Sequence, residues 1–457
     1  MAPFQEDDSM SSSDLLTTPV RTALIKMTLP MMMGIVSLML FNLADIYFVG
    51  QLGATEMAAL AFTFPVTFSV VSLAIGFGIG TSAILARLIG RGRHEEAAVL
   101  TTDNLLMTLI VVLCVSTLAH ALITPLYHWL GADTEQLPFI IDYMGIWWFG
   151  AAFMVTNMVA SSSLRARGDT KTPGIVMATS SILNVFLDCI LIFGWGPVPA
   201  MGIAGAALAS VISWGCVFLV LVWVLYKKYQ LIVLIKPDLL RVISNWRRVM
   251  KIGLPAALSN IMTPIAGGFL TAMVAAHGAE AVAAFGVGNR LESLSLLVCL
   301  ALSMTLPPFV SQNLGAGQFE RVKIAYYGAV KFALVWQLLI FVLLLLNRGS
   351  IVDIFTDTDA VKVPLSMWLM VVPLGFGMQA VIFLSASTLN ALHQPLRALR
   401  ISLIRLFVFF IPLAWGANML LGLQAMFIAF VVANTCAASV AFYLVRQQLK
   451  RGLDSLH

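Results

Sequence analysis

Apolar runs close to the roughly 20 residues needed to cross a bilayer's hydrocarbon recur from Met27 almost to the C-terminus of this chain. No other feature narrows the fold as much. Lipid offers backbone groups no hydrogen-bond partner, so the runs must be helices or the strands of a closed barrel, and a barrel would show alternating segments of about ten residues. The pattern therefore predicts an all-α polytopic membrane protein with twelve transmembrane helices. They fall at about 24–49, 56–81, 97–122, 137–160, 172–195, 202–226, 248–275, 282–308, 325–347, 363–388, 397–419 and 421–446. Only 11% of the 457 residues are charged, against about 25% in soluble domains, so a soluble fold is excluded.

The net charge of +5 is not scattered. Arg87, Arg91 and Arg93, then Arg165, Arg167 and Lys171, then the segment from Lys227 to Lys251 all fall on one set of connections. Arg321 and Lys323, Arg397 and Arg400, and Arg446, Lys450 and Arg451 continue the series on that same set. The other set holds little beyond Arg348 and Lys362. This asymmetry predicts an inner-membrane, multi-pass protein with both termini cytoplasmic, and it assigns the basic balance to orientation, not to nucleic-acid binding. The first eighteen residues, with Glu6, Asp7, Asp8 and a serine cluster, lack the basic start and apolar core of a secretory signal. They predict a disordered tail over 1–20, with Met10 as an alternative start. The five cysteines, Cys114, Cys189, Cys216, Cys299 and Cys436, lie inside spans without paired spacing, which points to neither disulfides nor a metal site.

Sliding the sequence against itself until Lys26 falls on Lys251 also aligns Pro30 with Pro255, Gly53-Ala54 with Gly278-Ala279, Gly90 with Gly315 and Glu95 with Glu320. Further on, Ser162-Ser163-Leu164 answers Ser387-Thr388-Leu389. Each copy carries six spans, an even number, so both enter the membrane from the same side. Parallel repeats of this kind belong to secondary transporters, with the substrate path between the halves. The expected division is a six-helix lobe over 21–226, a linker over 227–247, a second lobe over 248–446 and a tail over 447–457.

Ionisable groups inside spans are costly and mark function. In the first half these include Asp45 and Asp188, about 30 Å and 24 Å along two outward-running helices, with Asp142 near an outer end and Tyr143 about 9 Å into an inward-running one. Asn184 precedes Asp188 by four residues and so shares its helix face. A carboxyl group held out of water beside a second one favours its protonated form, which suits loading and releasing a proton. The same oxygens of Asp45, Asn184 and Asp188 could instead hold a dehydrated sodium ion, and Asp45 could simply anchor its helix end. The second half does not repeat this group: Leu270 stands where Asp45 would, and the stretch around Leu406 and Phe410 is apolar. Its main charged residues are Arg290 and Glu292, either lining a substrate cavity or forming a structural contact. Asn157 gives the fourth span a polar inner end and is a further cavity candidate. Pro30 lacks an N–H inside the first helix, which permits a kink.

The segments Asn42-Leu-Ala-Asp-Ile-Tyr-Phe-Val-Gly-Gln-Leu-Gly53, Leu164-Arg-Ala-Arg-Gly-Asp-Thr-Lys-Thr-Pro173 and Asn184-x-x-x-Asp188, with the six-plus-six repeat, resemble the multidrug and toxic compound extrusion family over essentially the whole chain. Within it the chain is most similar to the branch named for the DNA-damage-inducible F protein. The resemblance implies two pseudo-symmetric six-helix bundles forming a V, and export of bulky, often cationic and amphipathic drugs in exchange for protons or sodium. It also implies a cation site at Asp45, Tyr143, Asn184 and Asp188, and a bending role for Pro30.

The expectation is thus a monomeric antiporter, not an enzyme, with no cofactor beyond a coupling ion, H⁺ in preference to Na⁺. Its partners would be small lipophilic cations and the bilayer, with no nucleic acid. The alternative is a lipid-linked precursor flippase, which would need several cavity arginines or lysines where only Arg290 is evident.

Overall fold

A computed structural model describes residues 14–234 and 238–454. Glu6, Asp7, Asp8 and Met10 lie outside the described residues. Nearly every described residue is helical, and the extended pairing among them is a lone bridge between Trp195 and Val198. The long helices are α1 (Val20–Gly50), α2 (Ala54–Gly90), α3 (His94–Ala121), α4 (Leu137–Arg167), α5 (Lys171–Phe193) and α6 (Ile203–Lys228, its last turn a π-helix). They continue as α7 (Leu239–Ala275), α8 (Ala279–Gly315), α9 (Phe319–Leu346) and α10 (Asp359–Ala391). The final helical stretch, Pro395–Lys450 as a span, runs on to Asp454 and breaks at Gly422, giving α11 (395–421) and α12 (423–454). At Gly422, φ is +79°, a left-handed conformation that a side chain would resist and that lets two spans meet without a loop. The twelve helices match the twelve runs read from the sequence.

Two ends differ from expectation. The tail expected over 1–20 is shorter, because Asp14–Thr17 is helical and α1 begins at Val20. Leu15 is fully buried, and its carbonyl accepts hydrogen bonds from Asn313 Nδ2 (3.2 Å) and Arg321 (3.1 Å). The linker expected over 227–247 is also shorter, because α6 continues to Lys228 and α7 starts at Leu239. The extra turns are tied down: Asp103 of α3, almost fully buried, takes Arg241 in two hydrogen bonds (3.0 and 3.2 Å) and Asn245 in a third (2.8 Å). A buried carboxylate needs such partners, and a forked guanidinium supplies them.

The described residues form two compact units, one drawn from 29–257 and the other from 15–28 and 258–454. In the first, α4 is the hub and packs on α2, α3 and α6, with its own Trp147 and Trp148 buried. The start of α7 joins this unit, and a Cβ added at Gly76 of α2 would collide with the Gly253 carbonyl. In the second unit α8 packs on α9 and α10, and α10 on α12. Residues 15–28 belong here, and Thr28 and Thr305 share a hydrogen bond of 2.9 Å between their buried hydroxyls.

Candidate functional site

In the first unit α1 and α5 run in the same direction and touch where Gly174 meets Pro30. A Cβ at Gly174 would collide with the Pro30 carbonyl oxygen, so only a bare backbone fits. From that contact Asp45 lies about four turns along α1, and Asp188 about four turns along α5. At a rise of about 1.5 Å per residue both carboxylates are about 21–22 Å beyond it, at one level. The close crossing is what brings two distant carboxylates together.

Asp188 is fully buried and Asn184 nearly so. With its amide turned to satisfy both ends, Asn184 donates to Asp188 Oδ2 (2.9 Å) and accepts from the backbone N–H (3.1 Å) and hydroxyl (3.2 Å) of Ser210 on α6. The other oxygen, Asp188 Oδ1, is buried and has no hydrogen-bond partner among the described residues; Asp45 Oδ1 is in the same condition. The two carboxylates act on each other electrostatically, and both act on the buried phenol of Tyr143 from α4. Tyr127, on the short helix Ile123–Trp129, completes the group: its ring is fully buried beside Tyr143, and burial pushes its phenol above the usual tyrosine range.

The four residues singled out as a cation site are therefore gathered in one place. Two unpartnered buried oxygens suit a shared proton, since the protonated acid turns one of them into a donor. Among the described residues no three His, Cys, Asp or Glu side chains gather as a metal centre.

The other candidates lie elsewhere. The helix of α1 runs through Pro30 without interruption. Asn157 is buried and donates to the Trp214 carbonyl (2.8 Å), which ties α4 to α6. Arg290 is exposed on α8, whereas Glu292, two residues on, accepts a hydrogen bond from Gln379 of α10 (2.8 Å). The stretch around Leu406 and Phe410, expected to be apolar, contains Arg405, whose Nε donates to Asn434 of α12 (3.1 Å). Sequence reasoning missed Arg405 although an arginine stood inside the eleventh span. It also missed Ser210 and Tyr127, for which the sequence carries no distinguishing signal.

A sequence model of the MatE family matches residues 30–190 and again 255–416. The two matches begin at Pro30 and Pro255, a pair that the internal repeat lays on each other. The chain is 39% identical to the FAD transporter of Shewanella oneidensis over 95% of its own length and 96% of that protein's. It is 26% identical to the multidrug export protein MepA of Staphylococcus saprophyticus, over 92% and 93% of the two chains. Among solved structures it is similar to the MATE transporter VcmN of Vibrio cholerae in the bent form. That match has a TM-score of 0.90 at 32% identity and covers 96% of this chain and 98% of that one.

Proposed function

Because this chain belongs to the multidrug and toxic compound extrusion family, whose members are transporters and not enzymes, we propose that it is a proton-coupled antiporter exporting bulky amphipathic organic compounds. The observation that carries the coupling role is the pair of buried carboxylate oxygens, Asp45 Oδ1 and Asp188 Oδ1, left without partners at one level of the same helical bundle. A proton arriving there neutralises a costly buried charge, and its departure restores that charge. Tyr143 and Asn184 set how the pair holds the proton, the first by its phenol and the second by fixing Asp188 Oδ2. Pro30, seated on Gly174 at the crossing of α1 and α5, is where a change of charge at Asp45 becomes a bend of α1. The protein works as a monomer in the inner membrane with both termini cytoplasmic, a placement supported by the basic connections.

The cargo has two readings. Lipophilic cations and drugs are favoured by the likeness to MepA, named a multidrug export protein. Flavin nucleotides are favoured by the 39% identity to a protein named an FAD transporter.

The test uses purified protein in vesicles, with export of a fluorescent lipophilic cation and of FAD followed under a pH gradient alone and a sodium gradient alone. Export of either compound driven by the pH gradient, and abolished in Asp45→Asn and Asp188→Asn, is the expected result. Strict dependence on sodium would replace the shared proton by a metal ion, and undiminished export by both variants would end the carboxylate role.

A further inference from the structure

The second unit holds a polar cluster that the antiport site does not use. Four helices contribute to it: Glu292 from α8, Gln379 from α10, Arg405 from α11 and Asn434 from α12. Charges placed inside membrane spans are unfavourable and are retained where they do something. Arg405 sits in a seven-residue π-helical segment, Ile404–Phe410, and such departures from regular winding gather at functional sites.

The cluster is not a closed ion pair. Glu292 and Arg405 act on each other electrostatically, yet no oxygen of one comes within ion-pair distance of a nitrogen of the other. Each is held by an amide instead. Gln379 Nε2 donates to Glu292 Oε1 at 2.8 Å, and Asn434 Oδ1 accepts from Arg405 Nε at 3.1 Å. Gln379 and Asn434 are themselves buried, so the clamps are fixed. The outcome is a guanidinium whose two terminal amino groups have no hydrogen-bond partner among the described residues.

Beneath it is an aromatic floor. The Arg405 guanidinium carbon lies 5.7 Å from the centre of the Phe410 ring, and Phe410 stacks on Phe430 at 5.2 Å with 24° between planes. Phe285 and Phe427 pack on Phe430 from the sides, at 6.5 and 5.9 Å. These rings are buried against one another and brace the guanidinium from below, and its free forked donor fits the paired oxygens of a phosphate.

We infer that Arg405, clamped by Asn434 above the Phe410–Phe430 stack, is a recognition point for the phosphate of an organic phosphate ester, with Glu292 as the carboxylate that competes for it. The inference rests on the export reading above and names the cargo that this unit is built to hold. Glu292 sets the sign of the interaction: while it is ionised it neutralises Arg405 and repels an incoming anion, so removing its charge strengthens phosphate binding.

Flavin mononucleotide and riboflavin are suitable probes because they share the ring system and differ by one phosphate. Quenching of flavin fluorescence by the purified full-length protein in detergent gives both affinities. Wild-type protein is expected to bind the mononucleotide more tightly than riboflavin. Arg405→Gln should weaken the mononucleotide by about ten-fold or more, the order expected for one charge-assisted hydrogen bond, and leave riboflavin unchanged. Glu292→Gln should tighten the mononucleotide, and Arg405→Lys should retain part of the preference, showing that the fold survives. Three results would overturn the inference: no preference for the mononucleotide in wild type, equal loss of both flavins in Arg405→Gln and Arg405→Lys, or weaker mononucleotide binding in Glu292→Gln. Displacement of the flavin by phosphatidylglycerol mixed into the micelles at stoichiometric amounts would assign the phosphate to a lipid headgroup and overturn its assignment to an exported cargo. Proton-driven export of a lipophilic cation, measured on the same variants, reports on the antiport reading separately and should persist in Arg405→Gln.

Discussion

At the scale of single residues, the first unit gathers Asp45, Tyr143, Asn184 and Asp188 in one place. Asp188 is held on one oxygen by Asn184, which is itself held by Ser210, so one carboxylate oxygen is fixed while the other stays available. Replacing Asn184 by Leu removes the donor to Oδ2 and the side-chain acceptor of the buried Ser210 hydroxyl, a change that typically costs about 1–3 kcal/mol. The expected outcome is a lower melting temperature in detergent together with slower export. Asp188→Asn keeps the shape and removes the titrating group, so it should melt like wild type and export at background level. Comparing the two variants separates support of the site from its chemistry. The grouping of Asp45, Tyr143, Asn184 and Asp188 was legible because charge and amide residues inside apolar runs are conspicuous. Ser210 and Tyr127 were not, since a serine in a span and a tyrosine in a connection look ordinary until packing places them. Arg405 was overlooked for a different reason: aligning the halves directed attention to Leu406 and Phe410, and the π-helical turn that carries the arginine has no sequence signature.

At the scale of helices, crossings decide where functional groups meet. Gly174 allows α5 to rest on the Pro30 carbonyl, and that contact fixes the level of Asp188 against Asp45. Gly174→Ala forces a methyl against backbone that has no flexible end to move, and overpacking of this kind typically costs about 1–3 kcal/mol. The variant should melt earlier and should lose pH-gradient-driven export to a greater degree than its stability loss explains, because the two carboxylates are pushed apart. At Gly422 the cost has another origin: Ala there must adopt φ near +79°, which typically costs about 1–2 kcal/mol. Gly422→Ala should therefore lower the melting temperature and leave the coupling site untouched, with export per folded molecule unchanged. The twelve spans were readable in advance because length and apolarity are local properties. The early starts of α1 and α7 were not. The polar turns at 239–247 are helical by virtue of Asp103, which sits on α3, far back in the chain, and receives Arg241 and Asn245.

At the scale of the whole molecule, the repeat was visible in the register that lays Lys251 on Lys26, but the grouping of contacts does not follow it. Residues 15–28 pack with the described part of 258–454, while the start of α7, up to residue 257, packs with the unit that begins at residue 29. No periodicity announces this, because it depends on partners such as Asn313 and Arg321 for Leu15, and Thr305 for Thr28. Arg321 donates to the carbonyls of both Leu15 and Thr18 (3.1 and 2.6 Å). Arg321→Ala should release that segment, and limited trypsin digestion should then cut after Arg21 faster than in wild type. An unchanged rate would mean the segment is held by its apolar contacts alone.

The exchange of first segments also has a bearing on how the chain is made. Leu15 leaves the ribosome well ahead of its partner Arg321, which follows 306 residues later. At roughly 5–20 residues per second, the opening segment waits about 15–60 s for the groups that bury it. Through that interval the N-terminal half can insert its own helices but cannot place its leading turn, and the second half cannot close its packing without it. A gene cut between the repeats would thus yield two fragments, each missing a piece of itself and carrying a piece of the other. Co-expressed, they would be expected to find each other; expressed singly, neither has all the parts of a finished bundle.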